Sequence, residues 1–400
     1  MKRDSTSTEF IRRYLDEDPA RAALIASGRA DLDAAYVASQ IKGLQTLRRK
    51  APSWSFPEIE IPSGLSVEQC SSERMARFKA SLFKGASALD LTGGLGVDAW
   101  AWSASFERVT YVERNETLCE TAARNFERLA VRNIRCVHAE AEAYMETNQE
   151  RFDLIYVDPA RRDAKGRRVF RIADCAPDVR ALAPKLLAAT PQVLIKLSPM
   201  LDLRAALIDL PQTRRIWAAS VGGECKELLF LLSEEARVGM PASIVAMGKT
   251  GIKTFDFDLE EEQAAAPAPL SEPLTYLYEP DAAILKAGLF KSFAHRWGLF
   301  KLHPHTHLYV AHTFIPFIPA RVFEVMDYGP YDVRFVRDRI PSGKANVSAR
   351  NFPDSAEQTR KRLRLKDGGE VYLFAAAGPA NEKMLILCKR CAALEDSVGP

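Results

Sequence analysis

Leu89-Asp90-Leu91-Thr92-Gly93-Gly94-Leu95-Gly96-Val97-Asp98 is the stretch whose reading decides the fold. An apolar run, residues 88–91, has the form of a buried strand, and the three glycines behind it have the form of a tight turn into a helix. Glycine lets the backbone turn sharply and come closer to a ligand than a Cβ would allow. A turn of this kind aims helix-N-terminal N–H groups at whatever sits above the strand ends. It is therefore a nucleotide-type ligand site on physical grounds alone, with Asp90 as the acid at the strand end.

Around this turn, short apolar runs alternate with helical stretches: 88–91, 109–112, 134–137, 154–157 and 193–197. That alternation predicts a parallel α/β sheet. Two further runs, 216–221 and 228–232, sit close together across Gly222-Gly223 and predict an antiparallel pair at the sheet edge. Upstream, residues 6–50 read as helices. Thr6 and Glu9 have capping-box spacing, Asp18-Pro19 starts a second helix and Asp31 is placed to cap a third. In that third segment Leu32, Tyr36, Val37, Ile41, Leu44 and Leu47 form one stripe, ending in Arg48-Arg49-Lys50. Pro52, Pro57 and Pro62 mark an extended connector, after which Gln69, Ser71 and Ser72 precede a helix through Met75, Phe78 and Leu82. These polar residues either lie near the glycine turn or only cap that helix. Residues 258–275, acidic and then Ala/Pro-rich, read as a linker or domain boundary.

The 400 residues, 47% hydrophobic, suffice for two or three domains, and a net charge of +3 neither demands nor excludes a polyanionic partner. The N-terminus lacks an apolar h-region and no run of about 18 apolar residues occurs, so the expected location is cytoplasmic, with no membrane partner. Seven scattered cysteines read as reduced thiols. Cys388 and Cys391 form a lone CxxC, and His303, His305, His307 and His312 have no cysteine or paired acid beside them. No metal is expected at either place.

Four features fall at the C-terminal ends of successive strands, where open α/β sheets bind ligands. They are the Asp90 turn, Glu113, Glu140 and Asp158-Pro159-Ala160-Arg161. Glu113 suits two adjacent ribose hydroxyls, and Glu140 can accept from an exocyclic amine. Singly, each acid also reads as a helix cap. Their joint order resembles the class I S-adenosylmethionine-dependent methyltransferases. The resemblance implies S-adenosyl-L-methionine as cofactor, held by Asp90, Thr92, Gly93, Gly94, Gly96, Asp98, Glu113, Arg114, Glu140 and Ala141. It implies Asp158, Pro159 and Arg161 as the catalytic positions. A dinucleotide-binding Rossmann domain expects G-x-G-x-x-G, and residues 92–98, TGGLGVD, do not supply it.

A narrower resemblance is to a bacterial group of methyltransferases with a C-terminal THUMP-like domain. It rests on EQCSSE (68–73), DLTGGLGVD (90–98), DPARR (158–162) and ARNFP (349–353). It implies RNA, tRNA or rRNA, as substrate, and the opening motif also looks like that of ribosomal RNA guanine-N2 methyltransferases. The expected fold is α/β: a Rossmann-like, mainly parallel seven-stranded sheet with an antiparallel edge, a helical N-terminal region and a small α+β C-terminal domain. The expected divisions are 1–65 helical, 66–260 methyltransferase, 273–327 a small ferredoxin-like connecting module, and 328–400 THUMP-like.

The acceptor stays open. Asp158-Pro159-Ala160-Arg161 departs at two positions from the [Asp/Asn]-Pro-Pro-[aromatic] pattern of amino-methylating enzymes, although Asp158 can still accept from an amine and Arg161 can stack on a base or hold a phosphate. Carbon-5 methylation of a pyrimidine needs a thiolate, for which Cys175 and Cys225 are the sheet-side candidates. Lys196, Glu224 and Glu227 point towards the same cleft or serve as caps. Arg162, Lys165, Arg167, Arg168 and Arg171 after the motif, and the run RKRLRLK at 360–366, are candidate phosphate contacts. Methylation of a protein or small molecule, or RNA binding without catalysis, are the alternative readings.

Overall fold

The computed structural model describes residues 5–62, 64–161, 172–236, 238–248 and 251–391. Helical segments link the parallel strands β1 (Gly85–Asp90), β2 (Phe106–Glu113), β3 (Ile134–His138) and β4 (Leu154–Val157). The two-residue strands β5 (Ala160–Arg161) and β6 (Cys175–Ala176) come next, and β7 (Val193–Leu197) returns to the main sheet. With β8 (Thr213–Val221), β9 (Glu224–Leu232), β10 (Pro241–Gly248) and β11 (Gly251–Asp258), the order is β11-β10-β8-β9-β7-β4-β1-β2-β3. β1 pairs in parallel with both β2 and β4. The chain runs outward from β1 to β3, then returns to β4 on the other side of β1. The crevice above β1 and β4 is thus the topological switch point, where an open sheet takes its ligand.

Two expectations about this sheet are corrected. It has nine strands rather than seven, and the 216–232 pair is internal rather than at the edge. β10 extends the sheet parallel to β8, and β11 closes it antiparallel to β10. β10 escaped sequence reading because Ala242, Ile244, Val245 and Met247 are all buried. A short run buried on both faces has no periodicity to announce it.

The chain divides into two compact units: Met1–Leu197 with Arg204–Thr213 and Phe230–Glu235, and Ser198–Leu203 with Arg214–Leu229 and Ala236–Pro400. In the first, helices α1 (Ser5–Tyr14), α2 (Pro19–Ser27) and α3 (Ala34–Lys50) precede α4 (Gly64–Gln69), α5 (Glu73–Ser81), α6 (Val97–Trp102) and α7 (Glu116–Arg128). Asp18 caps α2 by accepting from Ala20 and Arg21 N–H. The third helix is capped by Asp33, which accepts from Tyr36 N–H at 3.0 Å, while Asp31, the expected cap, is paired with Arg29 at 2.6 Å. Val37, Ile41, Leu44 and Leu47 on α3 are completely buried. The N-terminal segment is fastened to α7 by Glu60, whose carboxylate meets Arg124 at 2.9 Å and Arg128 at 2.7 Å. Beside it, buried Asn125 accepts from Glu60 N–H and donates to Glu60 C=O, each at 2.9 Å.

In the second unit β12 (Tyr276–Pro280), β13 (Phe300–His303), β14 (Thr306–Ala311), β15 (Ala320–Pro330), β16 (Asn346–Arg350), β17 (Val371–Ala377) and β18 (Lys383–Arg390) form one sheet, in the order β13-β14-β12-β15-β18-β17-β16. The 11 residues of β15 pair first with β12, over 320–324, and then with β18, over 323–330. Residues 258–275 are not a free linker: the segment includes a helix, Leu259–Ala264, and buried Glu262 accepts from Lys291 and Ser292 N–H at 2.9 and 2.7 Å. These are first-turn donors of helix Phe290–Trp297, which its own N-cap residue leaves without a side-chain bond. The histidines do structural work. His303 Nδ1 accepts from His305 N–H and Asn351 Nδ2, and His307 stacks on Phe290 at 3.8 Å, burial pushing its pKa down to about 4.

Asn125→Ala removes both bonds to the Glu60 backbone without touching the sheet. A loss of roughly 2–6 kcal/mol is expected, from about 1–3 for each of the two stranded groups, and a denaturant titration measures it.

Candidate active site

The turn rests on a buried ion pair that sequence reading missed. Lys79, on α5, is completely buried, and its Nζ lies 2.8 Å from Asp98 Oδ1 in the first turn of α6. Lys79 also donates to Ser71 Oγ at 2.8 Å and to Tyr156 Oη, on β4, at 3.0 Å. Both hydroxyls donate onward to Asp98 Oδ2, at 2.8 and 3.1 Å. Burial raises the pKa of Asp98, but Lys79 and then Lys196 outweigh it, and the carboxyl is held below its ordinary value. Asp98 was expected to contact cofactor; the structure places it beneath the turn, joining α5, α6 and β4. Ser71 belongs to this network, whereas Ser72 caps α5 by accepting from Met75 N–H.

Above this base the glycines have separate jobs. A Cβ on Gly93 would lie 2.1 Å from the Tyr111 ring, so Gly93 exists for close packing on β2. Gly96, with φ +95°, combines a left-handed backbone with a Cβ position 2.6 Å from Phe126. Gly94 is also left-handed, at φ +57°, but a Cβ there would meet nothing nearer than Thr92 C=O at 3.9 Å. Tyr111 Oη donates to Gly94 C=O at 2.5 Å, and Gly94 N–H donates to Glu113 Oε2 at 2.9 Å. Glu113 Oε1 accepts from Asn115 N–H at 2.9 Å. A carboxylate has about four acceptor positions, so Glu113 retains two.

Asp90 is buried, with Oδ1 accepting from Thr92 N–H at 3.2 Å and Oδ2 without a partner among the described residues. Burial, followed by the nearby charge of Asp98, pushes its pKa well above the ordinary carboxylate value. Thr92 Oγ1 accepts from Asp158 N–H at 2.6 Å, tying the turn to the end of β4. Lys196, on β7, reaches Asp158 Oδ2 at 2.5 Å. Pro159 is buried behind it, and Ala160 and Arg161 pair with Ala176 and Cys175. The Arg161 side chain and Arg162, Lys165, Arg167, Arg168 and Arg171 lie outside the described residues.

Glu140 stands at the N-cap position of α8 (Ala141–Thr147), yet it is exposed and makes no capping bond. Ala141 is buried behind it. Arg114 is exposed, and its carbonyl accepts from His138 Nε2 at 3.0 Å, a link between the ends of β2 and β3 that drew no notice in the sequence. Of the two thiols considered as nucleophiles, Cys225 is pushed up to about 12 by burial, and Cys175 is buried on the short β5–β6 ribbon. Glu224 is paired with Lys226 at 2.5 Å. The ARNFP residues line a separate cavity of about 580 Å³ in the second unit, where Arg350 and Arg321 both pair with buried Glu279.

A glycine turn at the switch point of a parallel sheet, with acids at the following strand ends, defines the class: a nucleotide-cofactor enzyme of Rossmann-like architecture. Family models match three stretches of the chain. Residues 72–172 match conserved hypothetical protein 95, 276–319 a ferredoxin-like domain, and 320–390 a THUMP domain-like family. A solved structure of a candidate methyltransferase from Porphyromonas gingivalis W83 is 33% identical, with TM-score 0.87, over 98% of this chain and all of that one. An uncharacterized S-adenosylmethionine-dependent methyltransferase of Mycobacterium tuberculosis is 25% identical over 307 residues, 75% of this chain and 80% of the relative. An uncharacterized RNA methyltransferase of Mycoplasma mobile is 38% identical over 74 residues, 18% of this chain and 20% of that one. The chain belongs to the S-adenosylmethionine-dependent methyltransferases with a C-terminal THUMP-like domain. No described helix is long and apolar enough to cross a membrane.

The two acids of the turn titrate with opposite sign. Asp98 is depressed, so its contribution is present above the unfolded value, about 3.9, and is lost as pH falls through that range. Asp90 is raised, so the native state loses stability as pH rises above about 3.9. Asp90→Asn is therefore expected to raise the thermal midpoint of the ligand-free protein at neutral pH, with the gain vanishing towards about pH 4. Lys79→Ala strands a buried charge and is expected to cost about 3–5 kcal/mol, most of which a Lys79→Met/Asp98→Leu double variant restores in a double-mutant cycle.

Proposed function

We propose that this methyltransferase acts on an exocyclic amine of a base in structured RNA, tRNA or rRNA. The observation that carries the reading is the placement of Asp158. Thr92 fixes its backbone, Lys196 occupies Oδ2, and Oδ1, which has no hydrogen-bond partner among the described residues, is left to accept from an incoming amine. When bound, S-adenosylmethionine supplies a methyl group on a sulfonium, open to in-line displacement.

The residues of the turn fit that cofactor. Unpartnered Asp90 Oδ2 suits an ammonium group, which would return the buried carboxyl to its charged form. Thr92, Gly93 and Gly96 shape the turn, and Gly94 leaves room for close approach. The two spare acceptor positions of Glu113 suit ribose hydroxyls, and Glu140 suits the adenine amine, with Arg114 and Ala141 flanking. Asp158 orients the acceptor amine so that its lone pair faces the methyl, and Pro159 stiffens the loop that holds it. RNA as acceptor is supported by the THUMP-like match and by the name of the Mycoplasma mobile relative. In the 360–366 run, Arg360, Lys361 and Arg362 are paired with Asp367, Glu357 and Asp354, while exposed Arg364 and Lys366 have no side-chain partner among the described residues.

One observation favours a second reading. β5–β6 pairing places the backbone of Cys175 beside the Asp158 motif, and carbon-5 methylation of a pyrimidine would use its thiolate.

Mass spectrometry of nucleosides from total RNA of a deletion strain and its parent decides among acceptors. A missing amine-methylated base is expected; a missing 5-methylpyrimidine would select the Cys175 reading, and identical profiles would remove RNA as substrate. Asp158→Ala should lower kcat by about 10²-fold, the cost of a misplaced acceptor, while leaving cofactor affinity near wild type, and Asp90→Ala should abolish cofactor binding by calorimetry.

A further inference from the structure

The opposite end of the same sheet carries a feature that the methyl-transfer site does not use. β2 is an internal strand, and both faces of such a strand in a parallel α/β sheet are normally covered and apolar. Yet near its start β2 presents Arg108 and Thr110, in register with Ser87 on β1 and Arg135 on β3. Neighbouring residues on paired strands point to the same face, so these side chains form one polar patch. They line a cavity of about 670 Å³, bordered by Arg132 before β3 and by Glu150 and Arg151 before β4.

The charges there are not balanced. Arg135 is paired with Glu150 at 2.9 Å. Arg108, Arg132 and Arg151 are all exposed, and among the described residues none of their side chains has a hydrogen bond or ion pair. Asn133, also in the lining, spends its amide on Ser103 and Phe106 carbonyls at 2.9 and 3.0 Å. Three exposed guanidiniums around an open recess, without buried donors aimed into it, suit a polyanion held from its surface rather than a small anion held in a shell of hydrogen bonds.

We infer that Arg108, Arg132 and Arg151 form a phosphate-backbone contact for RNA at the N-terminal edge of the sheet, remote from the methyl-transfer site. The inference rests on RNA being the substrate. Arg108 lies five residues before Glu113 on β2, so about 17 Å at roughly 3.3 Å per residue separates this patch from the C-terminal end of the strand. An RNA that touches both must span that length and bend its path around the sheet.

The test is the salt dependence of binding of total tRNA and rRNA fractions to the full-length protein, wild type against Arg108→Ala/Arg132→Ala/Arg151→Ala. Neutralising three phosphate contacts should reduce the slope of log K against log salt by about 2–3, at roughly 0.7–0.9 per contact. Cofactor affinity and thermal midpoint should stay at wild-type values, since all three side chains are exposed. Salt-dependent wild-type binding with an unchanged slope in the triple variant would overturn this contact and leave the RNA reading standing. Absence of RNA binding by the wild type would overturn both.

Discussion

A buried charge pair is the constraint on which the catalytic half of this protein depends. Lys79 and Asp98 sit on helices either side of β1 in sequence, and the polar groups that complete them are two hydroxyls, Ser71 and Tyr156, each used twice, once as acceptor and once as donor. Burying both ions costs several kcal/mol each, and only close geometry with satisfied neighbours offsets it. The return is positional. With α5, α6 and β4 joined at one point, the helix that follows the glycines is anchored to its neighbours beneath the turn.

From that base, the turn propagates order to three strand ends. Tyr111 packs where a Cβ on Gly93 would stand and holds Gly94 C=O, while Gly94 N–H holds Glu113. Thr92 holds the backbone of Asp158. The ends of β1, β2 and β4 are therefore tied together through the turn. Asp90 is buried beside Asp98 with an oxygen unmatched. An isolated buried acid is a liability in the empty protein and an asset to a cationic ligand, the trade between stability and function expected of a binding site.

Much of this was legible because strand ends announce themselves. An apolar run followed by an acid or by glycines can be seen in one dimension, and Asp90, Glu113, Glu140 and Asp158 do fall at or just after the ends of β1 to β4. Lys79 was not legible. In ERMARFKAS it looks like the solvated lysine of an amphipathic helix, and only the packing of α5 against α6 and β4 buries it. The pairing of Asp98 was hidden for the same reason, since its partner comes from a segment about twenty residues upstream. Asp33 displaced Asp31 as a cap because either residue satisfies the spacing, and the side chain of Asp31 found Arg29. Arg108, Arg132 and Arg151 come from three separate segments, and nothing short of the sheet register assembles them.

β15 has a consequence for how the C-terminal half can be divided. The ferredoxin-like match ends at residue 319 and the THUMP-like match begins at 320, which invites treating them as separable modules. Yet the strand that opens the second is also the hydrogen-bonding neighbour of β12 in the first. Cutting the gene at that junction would strip β12 of a partner and turn it into an open edge, the kind of surface that recruits other chains. The two modules are thus one unit of inheritance, and a recombination that moved either alone would have to supply a new neighbouring strand with it.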